Sequence, residues 1–388
     1  MNNFNMQEHP LPKSIQLTIE GKTLFSVFQP IYSFANQACI GAEALIRGRS
    51  EKTGFQVPVM DCLRPPDNQS VETFNQNINQ MHLLNWQAQK LPNTWLFLNL
   101  DIESVSRIED LCVGDLIAEQ RLLGHEVVIE IVENEITDEI LFQEIITTLR
   151  QQGCLIALDD FGAGHSNIDR IWKAQPDIVK LDRGVLLEAT KNVRSESILR
   201  NLTRLIKQAG SVSLLEGIET EQQALLAMDV GVDLVQGFYF ARPRQRMDQV
   251  EQGKAVVKEV TDQYPQYVNQ KNKENLHQKS AYQSLVAGLE DSLSLHDLEM
   301  KMIEAAEDTP VKRFYILDQE GYQVSQEHNR QGALYRVDVL RQGKGLCWRN
   351  RSYFLRAIDQ PQEICISKPY RSLIDMQLCL TISIMVKV

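Results

Sequence analysis

Eight short apolar runs punctuate the chain between residues 25 and 240, at 25–31, 39–46, 95–100, 127–132, 154–158, 178–181, 212–215 and 235–240. Most are separated by stretches with helical spacing, such as Phe142, Ile145, Ile146 and Leu149, or Ile198, Leu202, Leu205 and Ile206. Strands that alternate with helices imply βα units and a parallel sheet. Eight of them in about 220 residues imply an α/β fold, a modified TIM (β/α)8 barrel. The gap between the first two runs is too short for a crossover helix, so that pair is expected to be an antiparallel hairpin.

The run ends carry the chemistry. In order they deliver Glu43 with Arg47, Asn99 with Asp101, Glu130 with Glu133, Asp159 with Asp160, Lys180 with Asp182, Glu216 with Glu219, and Gln236. The C-terminal strand ends of such a barrel converge on one face, where active sites lie. Asp159 and Asp160 are adjacent carboxylates, which repel one another unless a cation or proton sits between them. Followed by the Gly162-Ala163-Gly164 turn, they also read as a strand end feeding a tight turn. Lys180 taken alone reads as a strand-end partner of Asp182. A mouth rich in oxygen ligands with one amide suits Mg2+ or Mn2+ better than zinc.

The net charge of −11 argues against a polymeric nucleic-acid or acidic-lipid partner, though not against a small anion bridged by metal ions. Seven cysteines, none in a Cys-x-x-Cys pair and several inside apolar runs, read as reduced core thiols. No secretory leader and no membrane span are visible, so a cytoplasmic protein is expected.

The expected organisation is a barrel over 1–246, a helical linker over 247–300 and a small regulatory α/β domain over 301–388. Pro265 is expected to interrupt any helix in the linker. Tyr282, Leu285, Val286, Leu289 and Leu293 recur at helical spacing. That helix either lies on its own domain or connects the domains and packs in a dimer. In the last segment 314–317 and 380–386 read as strands, and Asp318-Gln319-Glu320-Gly321 as a hairpin turn. Trp348, Arg349, Tyr353, Phe354, Tyr370 and Arg371 read as core packing with surface ion pairs, or else as a ligand pocket.

Eight ordered motifs across residues 14–245 resemble those of the EAL family of cyclic di-GMP phosphodiesterases. They are Phe28-Gln29-Pro30-Ile31, Glu43-Ala44-Leu45-Ile46-Arg47, Leu98-Asn99-Leu100, Glu130-Ile131-Val132-Glu133, Asp159-Asp160-Phe161-Gly162, Lys180-Leu181-Asp182, Glu216-Gly217-Ile218-Glu219 and Gln236-Gly237-Phe238-Tyr239. The resemblance implies two-metal hydrolysis of cyclic di-GMP to linear pGpG with Mg2+ or Mn2+. Glu43, Asn99, Glu130 and Asp159 would bind one ion, and Asp159 with Asp160 a second. Lys180 would touch the attacking water, Glu216 and Gln236 would order metal-bound waters, and Glu133 would hold the loop after Asp160. Gln29, Leu45 and Arg47 would contact substrate, Arg47 at a phosphate. The sequence departs from the family at Asp101, usually Ser, at Ala163, often Thr, and at His165, often Tyr. Asp101 would either tighten metal binding or repel substrate.

More weakly, 318–325, 348–354 and 367–372 resemble the PAS-like or Cache-like domain that follows the EAL domain in YkuI-type proteins. That implies a sensory or regulatory module joined by a helix; a homodimer, and an unknown small ligand at that module, are separate expectations. The alternative to an enzyme is a non-hydrolysing cyclic di-GMP receptor using the same pocket, or an interaction platform with an idle site. The intact set of acids favours the enzyme.

Overall fold

The computed structural model describes residues 14–387 except 103–104, 133–137, 164–167, 308, 310, 330–342, 362 and 373–376. It divides into two compact units, one ending at Tyr267 and the other beginning at Val268.

The first unit has ten strands: β1 (Gln16–Ile19), β2 (Lys22–Ser33), β3 (Ala38–Ser50), β4 (Gln56–Val57), β5 (Trp95–Leu100), β6 (Val127–Val132), β7 (Leu155–Phe161), β8 (Ile178–Leu181), β9 (Val212–Leu215) and β10 (Leu234–Val235). Eight close into a ring in the order β2-β10-β9-β8-β7-β6-β5-β3, sealed by the β2–β3 pairing. β2 runs antiparallel to both its ring neighbours, and every other ring pair is parallel. The expected hairpin is therefore β2–β3, with β1 and β4 added to its far end. These two additions lie outside the eight apolar runs. They are short and half-exposed, so they give little apolar signal.

The helices of this unit are α1 (Val59–Cys62), α2 (Val71–Gln87), α3 (Val113–Glu119), α4 (Glu139–Gln151), α5 (Ile168–Ala174), α6 (Arg183–Ala189), α7 (Val193–Gln208), α8 (Glu221–Val230) and the first part of α9 (Val250–Val286). Their starts follow local chemistry. Asp138 accepts from Ile140 N and Leu141 N to open α4, Asn192 accepts from Ser195 N to open α7, and Thr220 with Gln223 forms a reciprocal cap on α8. α4 buries Phe142, Ile145, Ile146 and Leu149 as its spacing predicts. α7 is turned by about one position from expectation: Leu199, Thr203 and Ile206 are buried and Ile198 is exposed.

Three expectations are corrected. The run at 235–240 is a strand only at Leu234–Val235. At Gly237 the backbone comes so close to Ile218 that a Cβ would collide with it, and the chain turns there, Phe240 N donating to Gly237 O. Pro265 lies inside α9 and does not end it. It is exposed, so the carbonyl its missing N–H leaves unpaired can face solvent. The helical spacing of 282–293 is not one helix: α9 stops at Val286, Gly288 adopts φ +84, and Leu293 is 92% exposed.

The second unit continues with α10 (Leu295–Ala306), opened by Ser294 accepting from Asp297 N, and α11 (Ser352–Asp359). Its strands form three two-stranded antiparallel pairs among the described residues. They are β11 (Arg313–Phe314) with β12 (His328–Asn329), β13 (Cys365–Ile366) with β16 (Ile382–Ser383), and β14 (Tyr370–Arg371) with β15 (Leu378–Cys379). The turn at 318–321 forms as read, with Gly321 at φ +85 and its N–H donating to Asp318 O. The strand expected over 380–386 is restricted to Ile382–Ser383. Of the aromatic and guanidinium set, Tyr353 and Phe354 are buried core. Trp348 stacks on Tyr315, and Tyr353 on Tyr370.

No helix among the described residues is long and apolar enough to cross a membrane.

Candidate functional site

Side chains alternate along a strand, so one face of each barrel strand points inward. The deep inward positions form one apolar cluster: Ile31, Phe97, Val128, Ala157, Ile178, Leu214 and Leu234. Two residues further toward the mouth, the same strands present Gln29, Asn99, Glu130, Asp159, Lys180, Glu216 and Gln236. β3 follows the same rule with Gly41 and Glu43. Gly41 sits where a Cβ would press within 2.6 Å of Trp95 O, and the Phe97 ring lies against that space. A continuous ring of polar groups thus lies directly above an apolar plug.

The paired aspartates depend on a local irregularity. Leu158 pairs with Val179 and Phe161 with Leu181, so β7 carries one residue more than β8 over this stretch. Asp160 is the extra residue, with φ +55, a conformation uncommon for residues other than glycine. The bulge lets Asp159 face inward while Phe161 stays in the outer core, and it leaves Asp160 exposed at the rim. Asp160 N donates to Asp159 Oδ1 at 2.9 Å.

Lys180 is the hub of the ring and is 1% exposed. Its Nζ lies 2.5 Å from Glu130 Oε1, 2.7 Å from Glu216 Oε1, 3.0 Å from Asp159 Oδ1 and 3.8 Å from Glu43 Oε1. Asp182 is elsewhere, accepting from Gly184 N as the cap of α6. Glu43 is held by Gln236 Nε2 at 2.8 Å and by Asn99 Nδ2 at 3.4 Å.

Burial shapes the ionisation of these groups. Desolvation alone would depress the Lys180 ammonium, but Glu130, Glu216, Glu43 and Asp159 outweigh it and hold its pKa well above that of an ordinary lysine. Burial, offset in part by Lys180, raises Glu130 well above the usual carboxylate range and Glu216 to about 8. Burial and then the neighbouring Asp159 raise Asp160.

The donor set suits a hard divalent cation. Glu43, Glu130 and Asp159 each offer an oxygen, all within 4.8 Å of one another. Glu130 Oε2 and Gln236 Oε1 are buried without a hydrogen-bond partner. Buried oxygens are seldom left so, and a cation is the kind of group that would satisfy them.

The expected substrate contacts continue the same strands outward. Gln29 lies opposite Glu43 in the β2–β3 ladder and donates to Ala241 O at 3.4 Å. Leu45 and Arg47 follow Glu43 at alternate positions of β3 and are half-buried, Arg47 donating to Ile46 O at 2.7 Å. Asp101 accepts from Asn75 Nδ2 at 3.5 Å beside the mouth. Glu133, His165 and Gly164 lie outside the described residues. The motif reading gave no separate weight to Arg183 and Val185, which pack against glycines of the loops after β9 and β7. The signal in the sequence was the pair Gly162 and Gly217, each two residues or fewer from a ring acid.

The EAL domain model matches residues 13–243. RocR of Pseudomonas aeruginosa, a cyclic di-GMP phosphodiesterase, is 25% identical over 260 residues, covering 63% of this chain and 66% of RocR. The chain therefore spans just under two thirds of that relative. The crystal structure of Bacillus subtilis YkuI, with an EAL domain and in complex with c-di-GMP and calcium, matches with a TM-score of 0.77 at 22% identity. The match covers 93% of both chains, and at this identity it speaks to fold alone. Klebsiella pneumoniae BlrP1 in its manganese and cyclic di-GMP complex matches at a TM-score of 0.52 with 25% identity, over 60% of this chain and 62% of that one.

Proposed function

The chain belongs to the EAL domain family, and from that premise we propose that its barrel mouth hydrolyses cyclic di-GMP to linear pGpG with the aid of two divalent cations. The charge of the ring carries this reading. Five carboxylates, Glu43, Glu130, Asp159, Asp160 and Glu216, stand around the single ammonium of Lys180. With all five ionised, two divalent cations would balance the four charges left over. Glu43, Asn99, Glu130 and Asp159 would hold one, and Asp159 with Asp160 the other. Bound Mg2+ or Mn2+ supplies a water of lowered pKa and neutralises the phosphodiester.

The chain's own residues do the rest. Lys180, kept protonated by its neighbours, donates to oxygen where negative charge develops at the attacking water and phosphate. Glu216 accepts a hydrogen bond from that water, and Gln236 offers its unpartnered Oε1 to a second. Gln29 and Leu45 contact the dinucleotide, and Arg47 forks onto a phosphate. Water adds to phosphorus, the bond from phosphorus to the 3′ oxygen breaks, and that oxygen takes a proton. Glu133 would steady the loop after Asp160.

Barrel, linker and regulatory domain at 1–246, 247–300 and 301–388 remain our proposed division, with the last part PAS-like or Cache-like, holding a small ligand. The protein would work as a cytoplasmic homodimer, with α9 relaying regulation.

The test is turnover of cyclic di-GMP by the full chain with Mg2+ or Mn2+, with the product identified by mass. Production of pGpG supports the enzyme. Binding without turnover would make the chain a receptor. For regulation, a chain ending at Tyr267, which keeps the part of α9 that belongs to the barrel core, should change rate by about 5- to 150-fold. An unchanged rate and an unchanged oligomeric state in solution would remove that role.

A further inference from the structure

The two loops beside the outermost acids touch the same element. β7 carries Asp159 and Asp160 at its end, and the loop after it turns at Gly162, with φ +103. A Cβ there would collide with Cγ2 of Val185. The loop after β9 carries Glu216 and turns at Gly217, with φ +68. A Cβ there would lie 2.5 Å from Cβ and Cγ of Arg183 and 2.8 Å from its Cδ. Arg183 and Val185 both belong to the first turn of α6.

That turn is itself fixed on every side. Asp182 caps it through Gly184 N at 2.7 Å, and Asp182 N donates to Phe161 O at 3.1 Å. Glu216 N donates to Leu181 O at 3.1 Å. The Arg183 guanidinium reaches across to Glu219 Oε2 at 2.9 Å, which clamps its stem over Gly217. Glu219 N is in turn anchored on Gln223 Oε1 at 2.8 Å.

We propose that the first turn of α6 is a wedge between these loops, with Arg183 and Val185 as positioning residues that set the separation of Asp160 and Glu216. Neither residue touches the reacting atoms. Each fills the space a glycine leaves, so the loop backbone rests on the wedge and cannot settle inward. Close packing transmits such a constraint, because a gap of even part of an ångström loses contact energy. Both loops share one support, so disturbing either side shifts both acids relative to Lys180.

This rests on the proposed hydrolysis, and the experiment separates the two. Wild type, Arg183→Ala, Val185→Ala, Arg183→Lys and Gly217→Ala are compared for kcat and KM with saturating Mn2+. Amide hydrogen exchange of residues 159–163 and 216–219 is measured on the same proteins without metal. Arg183→Ala and Val185→Ala should lower kcat by about tenfold to a hundredfold, the scale of a small misplacement of catalytic groups. KM should change by less than about twofold, and exchange should quicken in both loops. Gly217→Ala should match them by pushing from the other side. Arg183→Lys keeps the stem and the charge facing Glu219, and should recover most of kcat. Arg183 is half exposed, so these changes should leave the fold intact.

Wild-type exchange in both loops for both alanine variants overturns the wedge, whatever the activity. So does a loss of kcat that Arg183→Lys fails to restore. If wild type itself gives no turnover, the hydrolytic reading fails, and the exchange data alone decide the wedge.

Discussion

Two layers of the barrel interior lie one above the other on the same strands. The lower, from Ile31 round to Leu234, is apolar and nearly inaccessible, and each side chain meets others of its kind. The upper, two residues along, is nearly as buried around Glu130, Asp159 and Lys180, yet carries more negative than positive charge and has partnerless oxygens. Identical backbone geometry serves opposite ends. The lower layer supplies stability through burial. The upper layer works against it, since each buried unsatisfied polar group costs about 1–3 kcal/mol. That cost is what a site leaves in place when it is built to receive cations.

The sharpest way to break this contrast is Glu43→Ala. Loss of a cation ligand should cut turnover by about a thousandfold or more, because metal stabilisation of the transition state is worth several kcal/mol. The metal-free protein should melt no lower than wild type, since one of several repelling carboxylates has gone. Retained turnover at saturating metal would remove Glu43 from the ligand set.

Phe97→Ala, one layer below Asn99, should do the reverse. Emptying a fully buried aromatic site costs about 3–5 kcal/mol of stability. The kcat of the remaining folded enzyme at low temperature should stay within a fewfold of wild type. A denaturant titration alongside kinetics reads both, and an equal loss in each would mean that the layers are not separable.

Lys180→Ala should lower kcat by about 10²–10³-fold with little change in KM, as removal of a donor to developing charge does. A variant that only raised KM would place Lys180 in ground-state binding.

The ring's titration gives a subtler measure. Burial raises Glu216 from the ordinary carboxylate value to about 8 in the folded protein. An acid whose folded pKa is raised binds its proton more tightly when folded. Its contribution to stability is therefore present at low pH and lost as pH rises from the unfolded value, about 4.5, through about 8. Glu130, raised in the same direction, adds to the trend. The melting temperature of the metal-free protein should fall over this window, and Mg2+ or Mn2+ should flatten the slope. A metal-free slope of opposite sign would show that the ring is not short of positive charge.

These layers were unequally legible in the sequence. Strands β5, β6, β8 and β9 match their apolar runs residue for residue, because buried parallel strands are apolar on both faces. Of the ring acids, Asp159 and Glu216 were legible as the first polar residue after a run, and Glu43 and Glu130 as the lone acid inside one. What the chain could not announce was geometry made by distant partners. Nothing in the Asp159-Asp160 pair states that a bulge must separate them, since the count is set by pairing with Val179 and Leu181. The wedge at Arg183 and Val185 escaped for the same reason: it depends on glycines 34 and 23 residues away. β10 ended early because Gly237 meets Ile218, a tertiary contact that periodicity does not encode. The C-terminal unit was least legible, since two-residue strands carry almost no alternation.

The smallest expected effect lies just outside the polar ring, at Asp101. It stands two residues beyond Asn99, about 6.6 Å along an extended chain, and accepts from Asn75. It is exposed, so water screens its charge. At about 7 Å in water, one unit charge acts on another with roughly 0.6 kcal/mol. A substrate phosphate held at about that distance would therefore meet a modest repulsion from Asp101. Asp101→Ser removes it and should lower KM for cyclic di-GMP by about two- to threefold at low ionic strength, with metal saturating and kcat unchanged. The Debye length is about 10 Å at 0.1 M salt and about 3 Å at 1 M, so the difference should shrink steadily and vanish at high salt. KM measured for both proteins across that salt range decides it. A KM that rises on substitution would mean that Asp101 supports the cations more than it repels the phosphate. That would place it functionally within the ring and blur the boundary between the polar layer and the rim.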